Sequence, residues 1–174
     1  MKFKAFLLSS MVATTLLTAT HTASAASTSS ITASESASNS EVKKLYDRYS
    51  QPQINNRKEE HGNWHLGTQS PTNDQVRLNI EGTYKIQSKT FNPKRHITLP
   101  KGEITLKELD HIVRYANVTY GLYESDNLPQ GKIVIHRNDG DFYTLEVQKP
   151  LQTDREEVKI KVEDLKNITF DIKE

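Results

Sequence analysis

One helical segment between runs of alternating residues constrains the fold of this chain more than any other feature. Thr105-Leu106-Lys107-Glu108 has the spacing of a capping box, in which the Thr and Glu side chains accept hydrogen bonds from each other's backbone N–H groups. Apolar residues then recur at helical spacing on one face, at Leu106, Leu109, Ile112, Val113 and Ala116. The pattern predicts a helix that ends near residues 117–121, with its polar residues away from this face: Lys107, Glu108, Asp110, His111 and Arg114.

Alternating apolar residues predict strands on both sides of this helix. Before it, Val76, Leu78 and Ile80 alternate with polar residues. After it, residues 132–137 and 142–147 flank an Asp-Gly pair that is typical of a tight hairpin turn. Two further alternating runs, 158–162 and 168–172, look like a closing pair around residues 163–167. Strands, one helix and then strands predict an α+β fold with the helix across one sheet face.

The first 74 residues have a different character. Lys2 and Lys4, an apolar stretch and then Ala23-Ser24-Ala25 predict a secretory signal peptide at residues 1–25. Residues 26–40 are rich in Ser, Ala and Thr and are predicted to be a disordered tail. Residues 41–74 are interpreted as a short helix and linker, with Val42, Leu45 and Tyr49 on one helical face. The packed domain is expected at residues 75–174.

Composition and motifs argue against several classes of function. The chain has no cysteine, and its 23 basic residues nearly balance its 22 acidic ones, so thiol chemistry and a nucleic-acid partner are not expected. The sequence lacks Gly-x-Ser-x-Gly, His-Glu-x-x-His and P-loop motifs, which predicts that the protein is not an enzyme. His61 and His65 have metal-ligand spacing, but Gly62 disfavours a helix between them, and no metal or cofactor is predicted. No membrane insertion is expected either.

Longer motifs resemble a known protein family. Residues 101–114, followed by Tyr120-Gly121-Leu122-Tyr123, resemble a signature of the staphylococcal and streptococcal superantigens. Residues 131–144 and 151–155 look like those of the staphylococcal superantigen-like proteins. The resemblance covers roughly residues 76–174 and implies a β-grasp domain, in which a mixed sheet wraps a central helix.

The chain departs from this family's pattern at several points. Family members carry an OB barrel before the β-grasp domain, and residues 26–74 are too few for one, so residues 41–74 are expected to be a remnant of it. The helix signature is one residue short between Arg114 and Tyr123, which implies a different last turn. The superantigen zinc site uses His-x-Asp on the last strand, whereas Thr169 stands two residues before Asp171, so that zinc site is not expected.

Single-domain relatives imply the function. The chain is similar to the chemotaxis inhibitory protein and the formyl peptide receptor inhibitor, which occupy leukocyte receptors. The resemblance therefore implies a secreted immune-evasion protein that blocks a host innate-immune receptor or effector by occupancy. Alternatives of other kinds are a module that binds sialylated glycans, an inhibitor of a host granule enzyme, and an inactive remnant.

Two groups of residues are candidates for contact with the partner. A basic stretch with interspersed aromatic residues is either a solvated strand and loop or a receptor surface, for which the candidates are Lys89, Lys94 and Arg95. Tyr123 near the helix end is expected to pack there or, if it is exposed, to contact the receptor. Arg155 matches the glycan-binding members of the family. Glu156 and Glu157 do not match them, and two such carboxylates are expected to repel a sialic acid carboxylate from a solvated strand edge.

Overall fold

A computed structural model describes residues 37–52 and 64–174 of the chain. Two α-helices are present in these ranges, α1 at residues 37–49 and α2 at Leu106–Val118. The nine strands are β1 (His65–Leu66), β2 (Gln75–Ile86), β3 (Lys89–Phe91), β4 (Lys94–Pro100), β5 (Glu103–Thr105), β6 (Gln130–Arg137), β7 (Phe142–Glu146), β8 (Lys159–Lys161) and β9 (Leu165–Lys173). Short 3-10 turns occupy Thr153–Arg155 and Val162–Asp164. The described residues from Asn39 onward form one compact unit.

Seven strands form one mixed sheet. Its order is β1-β4-β2-β9-β6-β7, with β3 pairing the far end of β2, and β5 and β8 form a separate two-stranded sheet. The β2–β9 pair is parallel and the other pairs are antiparallel. Helix α2 contributes five residues with no exposed surface to the core of this sheet, namely Leu106, Leu109, Ile112, Val113 and Ala116. The mixed sheet around one central helix confirms the α+β, β-grasp expectation.

The last strand occupies the centre of the sheet, which corrects the predicted closing pair. Strand β9 lies between β2 and β6, and its residues Ile168, Phe170 and Ile172 are buried. Strand β8 pairs instead with β5, which leads into α2. The prediction was wrong because alternation identifies the buried face of a strand and carries no information about its neighbour.

Helix α2 begins as its sequence predicts. The Thr105 Oγ1 accepts from the Glu108 backbone N–H at 3.2 Å, and the Glu108 carboxylate accepts from the Thr105 N–H at 2.8 Å, so both halves of the capping box form. The other side of the helix differs from the prediction, because Glu108, Asp110, His111 and Arg114 are also buried. Helix α1 and the end of β7 supply groups that contact this second side, so α2 is enclosed all round.

Helix α1 begins earlier than its sequence indicates. Residues 37–40, predicted to belong to the tail, are helical, and Val42, Leu45 and Tyr49 are buried. The proposed signal peptide, the rest of the tail and residues 53–63 lie outside the described residues. Neither of the two described helices combines the length and the apolar character needed to cross a membrane.

Candidate functional site

An open pocket lies along the outer edge of β7, beside the turn at Thr153–Arg155. In that turn the Arg155 N–H donates to the Gln152 carbonyl oxygen at 3.0 Å, and Leu151 is buried just before it. The guanidinium of half-buried Arg155 is directed back to β7, where its Nη1 donates to the Thr144 carbonyl oxygen at 3.3 Å. The lining residues are Arg114, Thr144, Leu145, Glu146, Lys149, Pro150, Leu151, Gln152 and Arg155.

The charges around this pocket favour an anionic ligand. Three cationic residues line it, Arg114, Lys149 and Arg155, with Glu146 as the acidic residue among the described lining residues, and the charge of Arg114 is balanced by its ion pair with Asp110 at 2.6 Å. The Glu146 carboxylate is paired with the Lys149 ammonium at 2.7 Å, so its charge is already balanced. A guanidinium presents five N–H donors in a rigid fork that matches a carboxylate, which makes Arg155 the natural anchor for such a group.

The carboxylate of Glu156 is held away from the pocket. It lies 2.7 Å from the Lys107 ammonium and 3.7 Å from the Arg48 guanidinium, and only 17% of the side chain is exposed. Glu157 is exposed, and neither residue belongs to a strand, because both follow the 3-10 turn. The predicted solvated strand edge is therefore wrong. The expected repulsion is reduced at Glu156 by two cations, one from each helix, and is retained at Glu157, which is exposed to solvent.

A buried polar network forms the floor behind the pocket. The Arg114 Nε donates to Asp110 Oδ1 at 2.6 Å, and its Nη2 and Nη1 donate to the carbonyl oxygens of Glu146 and Val147 at 3.1 and 3.2 Å. The other carboxylate oxygen of Asp110 accepts from the Tyr49 hydroxyl at 2.8 Å. Burial raises the pKa of Tyr49, so this hydroxyl remains a donor at physiological pH.

Tyr123 belongs to the same network, which corrects its prediction as a receptor contact. Its side chain is 2% exposed, and its hydroxyl donates to the Val147 carbonyl oxygen and accepts from Arg114 Nη1, both at 2.7 Å. The backbone at Tyr123 has a φ of 70°, in the left-handed region that L-residues rarely adopt. This conformation and the two hydrogen bonds place the ring in the interior, where a receptor cannot reach it.

The basic candidates lie at the opposite edge of the sheet. Lys94 is exposed and its ammonium is 3.0 Å from the Glu81 carboxylate. Arg95 lies over the Tyr120 ring, 4.6 Å from its centroid, and donates to the Thr119 hydroxyl. Neighbouring residues of a strand face opposite sides, so Lys94 and Arg95 do not share one face.

An apolar groove accompanies Arg95 on the helix side of the sheet. It is lined by Tyr84, Ile86, Phe91, Asn92, Pro93 and Tyr120. Phe91 is 48% exposed, and the exposed residue Lys89 pairs with Ile86 of β2, on the same side as the groove. Lys89 and Arg95 therefore lie on the same side of the sheet as the exposed Phe91 ring. The width of the sheet separates both residues from Arg155.

The structure contains no assembled metal site in its described part. His65 lies on β1, whereas His61 belongs to the undescribed range 53–63. On the last strand, the Thr169 hydroxyl contacts His136 Nε2 at 2.8 Å. Residues 37–52 and 64–174 hold no group of three or more His, Asp or Glu placed to share a metal ion.

The sequence offers Arg155 as a candidate but does not indicate the residues that surround it. Arg114 and Asp110 were placed on a polar face, and Tyr49 was recognised only as an apolar contact of a short helix. The one local signal was the spacing of four between Asp110 and Arg114, which permits an ion pair within a helix. Their burial depends on residues 49 and 146–147, which no local pattern connects to α2.

Comparison with known proteins gives consistent matches. The family described as "Staphylococcal/Streptococcal toxin, beta-grasp domain" matches residues 76–172. Enterotoxin-like toxin X of Staphylococcus aureus (strain Newman) is 51% identical over 139 residues, which cover 78% of this chain and 68% of the relative. The solved structure of staphylococcal enterotoxin-like X, described as a unique superantigen, is 46% identical, with a TM-score of 0.72 over 79% of this chain and 96% of that one.

A third match was solved with a bound glycan. A superantigen-like protein from Staphylococcus aureus in complex with sialyl-Lewis X is 31% identical, with a TM-score of 0.53. The match covers 57% of this chain and 53% of that chain.

Proposed function

Because the chain belongs to the staphylococcal and streptococcal toxin family with a β-grasp domain, we propose that it is a secreted immune-evasion protein that acts by occupancy. Proteins of this toxin family are not enzymes, and the chain shares that character. In this proposal it binds a sialylated glycoprotein of host innate immunity through the Arg155 pocket and blocks the receptor or effector that carries the glycan.

The Arg155 guanidinium at the β7 edge is the observation that carries this proposal. Sialic acid carries a carboxylate that remains ionised at physiological pH, and charge-assisted hydrogen bonds from a guanidinium fork are the strong way to bind such a group. The hydrogen bond to the Thr144 carbonyl holds this fork at the pocket, so its orientation is set before the ligand arrives. Gln152 and Lys149 on the rim add donors for sugar hydroxyls. The relative solved with sialyl-Lewis X supports this ligand class.

A binding experiment tests the glycan directly. The purified protein is titrated calorimetrically with sialyl-Lewis X and with the same oligosaccharide lacking sialic acid. We expect binding of the sialylated form only, and at least about tenfold weaker binding by Arg155→Gln, because a hydrogen bond to a charged group contributes about 1.5–3 kcal/mol. Lys166→Gln, which removes an exposed charge from β9, is the matched control and should bind as the wild type does. Equal affinity for the two oligosaccharides, or wild-type affinity of Arg155→Gln, would contradict the proposal.

A protein-binding surface at the other sheet edge is the second candidate. The observation that favours it is the exposed Phe91 ring beside Lys89 and the apolar groove. An aromatic anchor flanked by cations fits an acidic segment of a receptor, with the cations increasing the association rate and the ring extending residence.

Sialidase-treated human neutrophils separate the two candidates. Saturable binding that survives sialidase and becomes about tenfold weaker in Phe91→Ala would support the groove, in keeping with the cost of removing an interfacial hot spot. Phe142→Ala is the matched control, because Phe142 is 60% exposed on β7 at the opposite edge. Loss of all binding after sialidase treatment would exclude this second surface.

A further inference from the structure

Two chains of side-chain contacts connect helix α1 to the Arg155 pocket. We propose that α1 is a positioning element for this pocket, with Tyr49 acting on the β7 wall and Arg48 on the wall formed by the turn at Thr153–Arg155. The inference rests on the proposed function for the identity of the ligand. It gives residues 41–49, which the sequence indicated only as a remnant of a lost domain, a defined role in binding.

The first chain passes through the interior. The Tyr49 hydroxyl donates to Asp110 Oδ2 at 2.8 Å, and Asp110 Oδ1 accepts from Arg114 Nε at 2.6 Å. The Arg114 guanidinium then donates to the carbonyl oxygens of Glu146 and Val147. Thr144, whose carbonyl accepts from Arg155, lies on β7 two residues before Glu146. Consecutive contacts therefore connect the α1 hydroxyl to the strand that orients the Arg155 guanidinium.

Every side chain in this first chain of contacts is enclosed. Tyr49 has no exposed surface, Asp110 is 2% exposed and Arg114 is 1% exposed. The Arg114 guanidinium also lies over the Tyr49 ring, 4.8 Å from its centroid. A buried ion pair persists only when its remaining donors and acceptors are satisfied, so the Tyr49 hydroxyl is a structural requirement for the orientation of the Asp110 carboxylate. Loss of the Tyr49 hydroxyl therefore changes the position of Arg114, because no solvent reaches Asp110 to replace the missing hydrogen bond.

The second chain runs over the surface. Arg48 Nη2 lies 3.7 Å from Glu156 Oε1, and Lys107 Nζ lies 2.7 Å from Glu156 Oε2. Glu156 directly follows Arg155, and its N–H donates to the Thr153 carbonyl oxygen, which closes the turn. Because Arg48 is 34% exposed, this link is weaker than the buried one, and we assign it a smaller share of the effect.

Tyr49→Phe is the decisive variant. It keeps the ring in the core and removes only the hydroxyl bonded to Asp110. We expect weaker binding of sialyl-Lewis X, by up to roughly fivefold, which is the limit reached if the whole net value of one buried hydrogen bond, about 1 kcal/mol, is lost from the binding free energy. Tyr46→Phe is the matched control, because Tyr46 is on the same helix with 36% of its surface exposed, and its affinity should equal that of the wild type.

A spectroscopic measurement distinguishes positioning from general destabilisation. In ¹H–¹⁵N spectra of the ligand-free protein, Tyr49→Phe should shift the Arg155 Nε–Hε signal and the backbone amides of residues 144–147. Ile97→Val, which trims a core residue on β4 far from this edge, should lower the urea midpoint of unfolding without moving those signals. Arg48→Gln should shift the Arg155 signal less than Tyr49→Phe, with Lys44→Gln as its control on the same helix.

The outcomes are separable. An unshifted Arg155 signal together with wild-type affinity in Tyr49→Phe would overturn the positioning role. If the wild-type protein binds no sialyl-Lewis X, the proposed function fails, and the Arg155 signal in Tyr49→Phe still decides whether α1 positions the pocket. Shifts of equal size in Ile97→Val would reduce the effect to loss of stability and would also overturn the inference.

Discussion

Arg114 is the residue at which most of the interior polar contacts meet. Its guanidinium is 1% exposed and donates to a carboxylate, a phenol oxygen and two backbone carbonyl oxygens. Burying an unpaired guanidinium would cost several kcal/mol, so these acceptors are what permit a charged residue on the second side of α2. The same contacts fix the end of β7, and the stability of the core and the shape of the pocket therefore depend on one side chain.

Gly82 lies where strands β2 and β9 approach each other closely. A Cβ atom at Gly82 would overlap the backbone carbonyl of Phe170, across the parallel β2–β9 pair. The φ of Gly82 lies outside the left-handed range, so the lack of space and not the backbone conformation requires glycine. We predict that Gly82→Ala destabilises the protein by about 2–4 kcal/mol, because β2 and β9 must separate. Urea unfolding measures the change.

Gly140 provides the control for this substitution. Its φ is +95° and no other part of the protein lies within 4 Å of the place that an alanine Cβ would take, so Gly140→Ala should cost only the backbone term, about 1–2 kcal/mol. If Gly82→Ala were as stable as the wild type, the close approach of the two strands would be refuted.

At the scale of residues, the sequence predicts those contacts whose two partners lie within a few residues of each other. Thr105 and Glu108 satisfy each other across one helical turn, and their spacing alone indicated the capping box. The sequence left Tyr123 open between packing and receptor contact because its partners, Arg114 and the Val147 carbonyl, lie 9 and 24 residues away. Arg155 is a candidate only through a resemblance to glycan-binding proteins, because the hydrogen bond that orients it joins residues 11 apart.

At the scale of elements, the contact between α1 and α2 determines the character of the central helix. His111 is 1% exposed on α2, its Nε2 lies 2.7 Å from the Gln51 carbonyl oxygen, and its ring centroid is 5.7 Å from that of Tyr49. The charged groups that face it are Asp110 and Arg48. Its Nδ1 is buried without a partner among the described residues, so a second proton on this ring would be poorly accommodated.

This contact predicts a loss of stability in acid. Burial lowers the pKa of His111 below its ordinary value of 6.5, so the unfolded chain binds a proton more readily than the folded one. The contribution of His111 to the free energy of unfolding is therefore fully present above pH 6.5 and is lost as the pH decreases below that value. Urea unfolding at pH 7.5 and pH 5.0 should show a smaller difference between the two pH values for His111→Gln than for the wild type. His136→Gln is the control and should keep the wild-type difference in stability between the two pH values. The same wild-type difference in His111→Gln would contradict the assignment of the acid sensitivity to His111.

Pairing between elements was predictable only where the chain connects them directly. The β6–β7 hairpin follows from its Asp-Gly turn, and Gly140 has the positive φ that such a turn requires. The partner of β9 did not follow from its alternation, because β2 lies more than 80 residues earlier in the chain. The early start of α1 was missed because residues 37–40 carry little apolar surface of their own, and their helix is stabilised by the residues that follow.

At the scale of the molecule, the two candidate contact surfaces lie on opposite edges of one sheet. The Arg155 pocket flanks β7, and the groove with Phe91 flanks β3 and the start of β4. Occupation of one surface leaves the other open, so a single chain has room for a glycan and a protein at once. The fold class was predictable because one helix among strands can be arranged in few ways. The location of each candidate contact surface was not predictable, because it depends on side chains that come together from distant segments of the chain.

The central place of β9 also governs when this protein can become folded. Strands β2 and β6 both pair with the nine-residue strand β9, so without β9 the sheet consists of two separate groups, β1-β4-β2 with β3 and β6-β7. Its decisive contacts join residues 80–85 to residues 168–173, and such long-range pairing forms late. The topology thus makes the insertion of β9 the step that joins two separate groups of strands into one sheet.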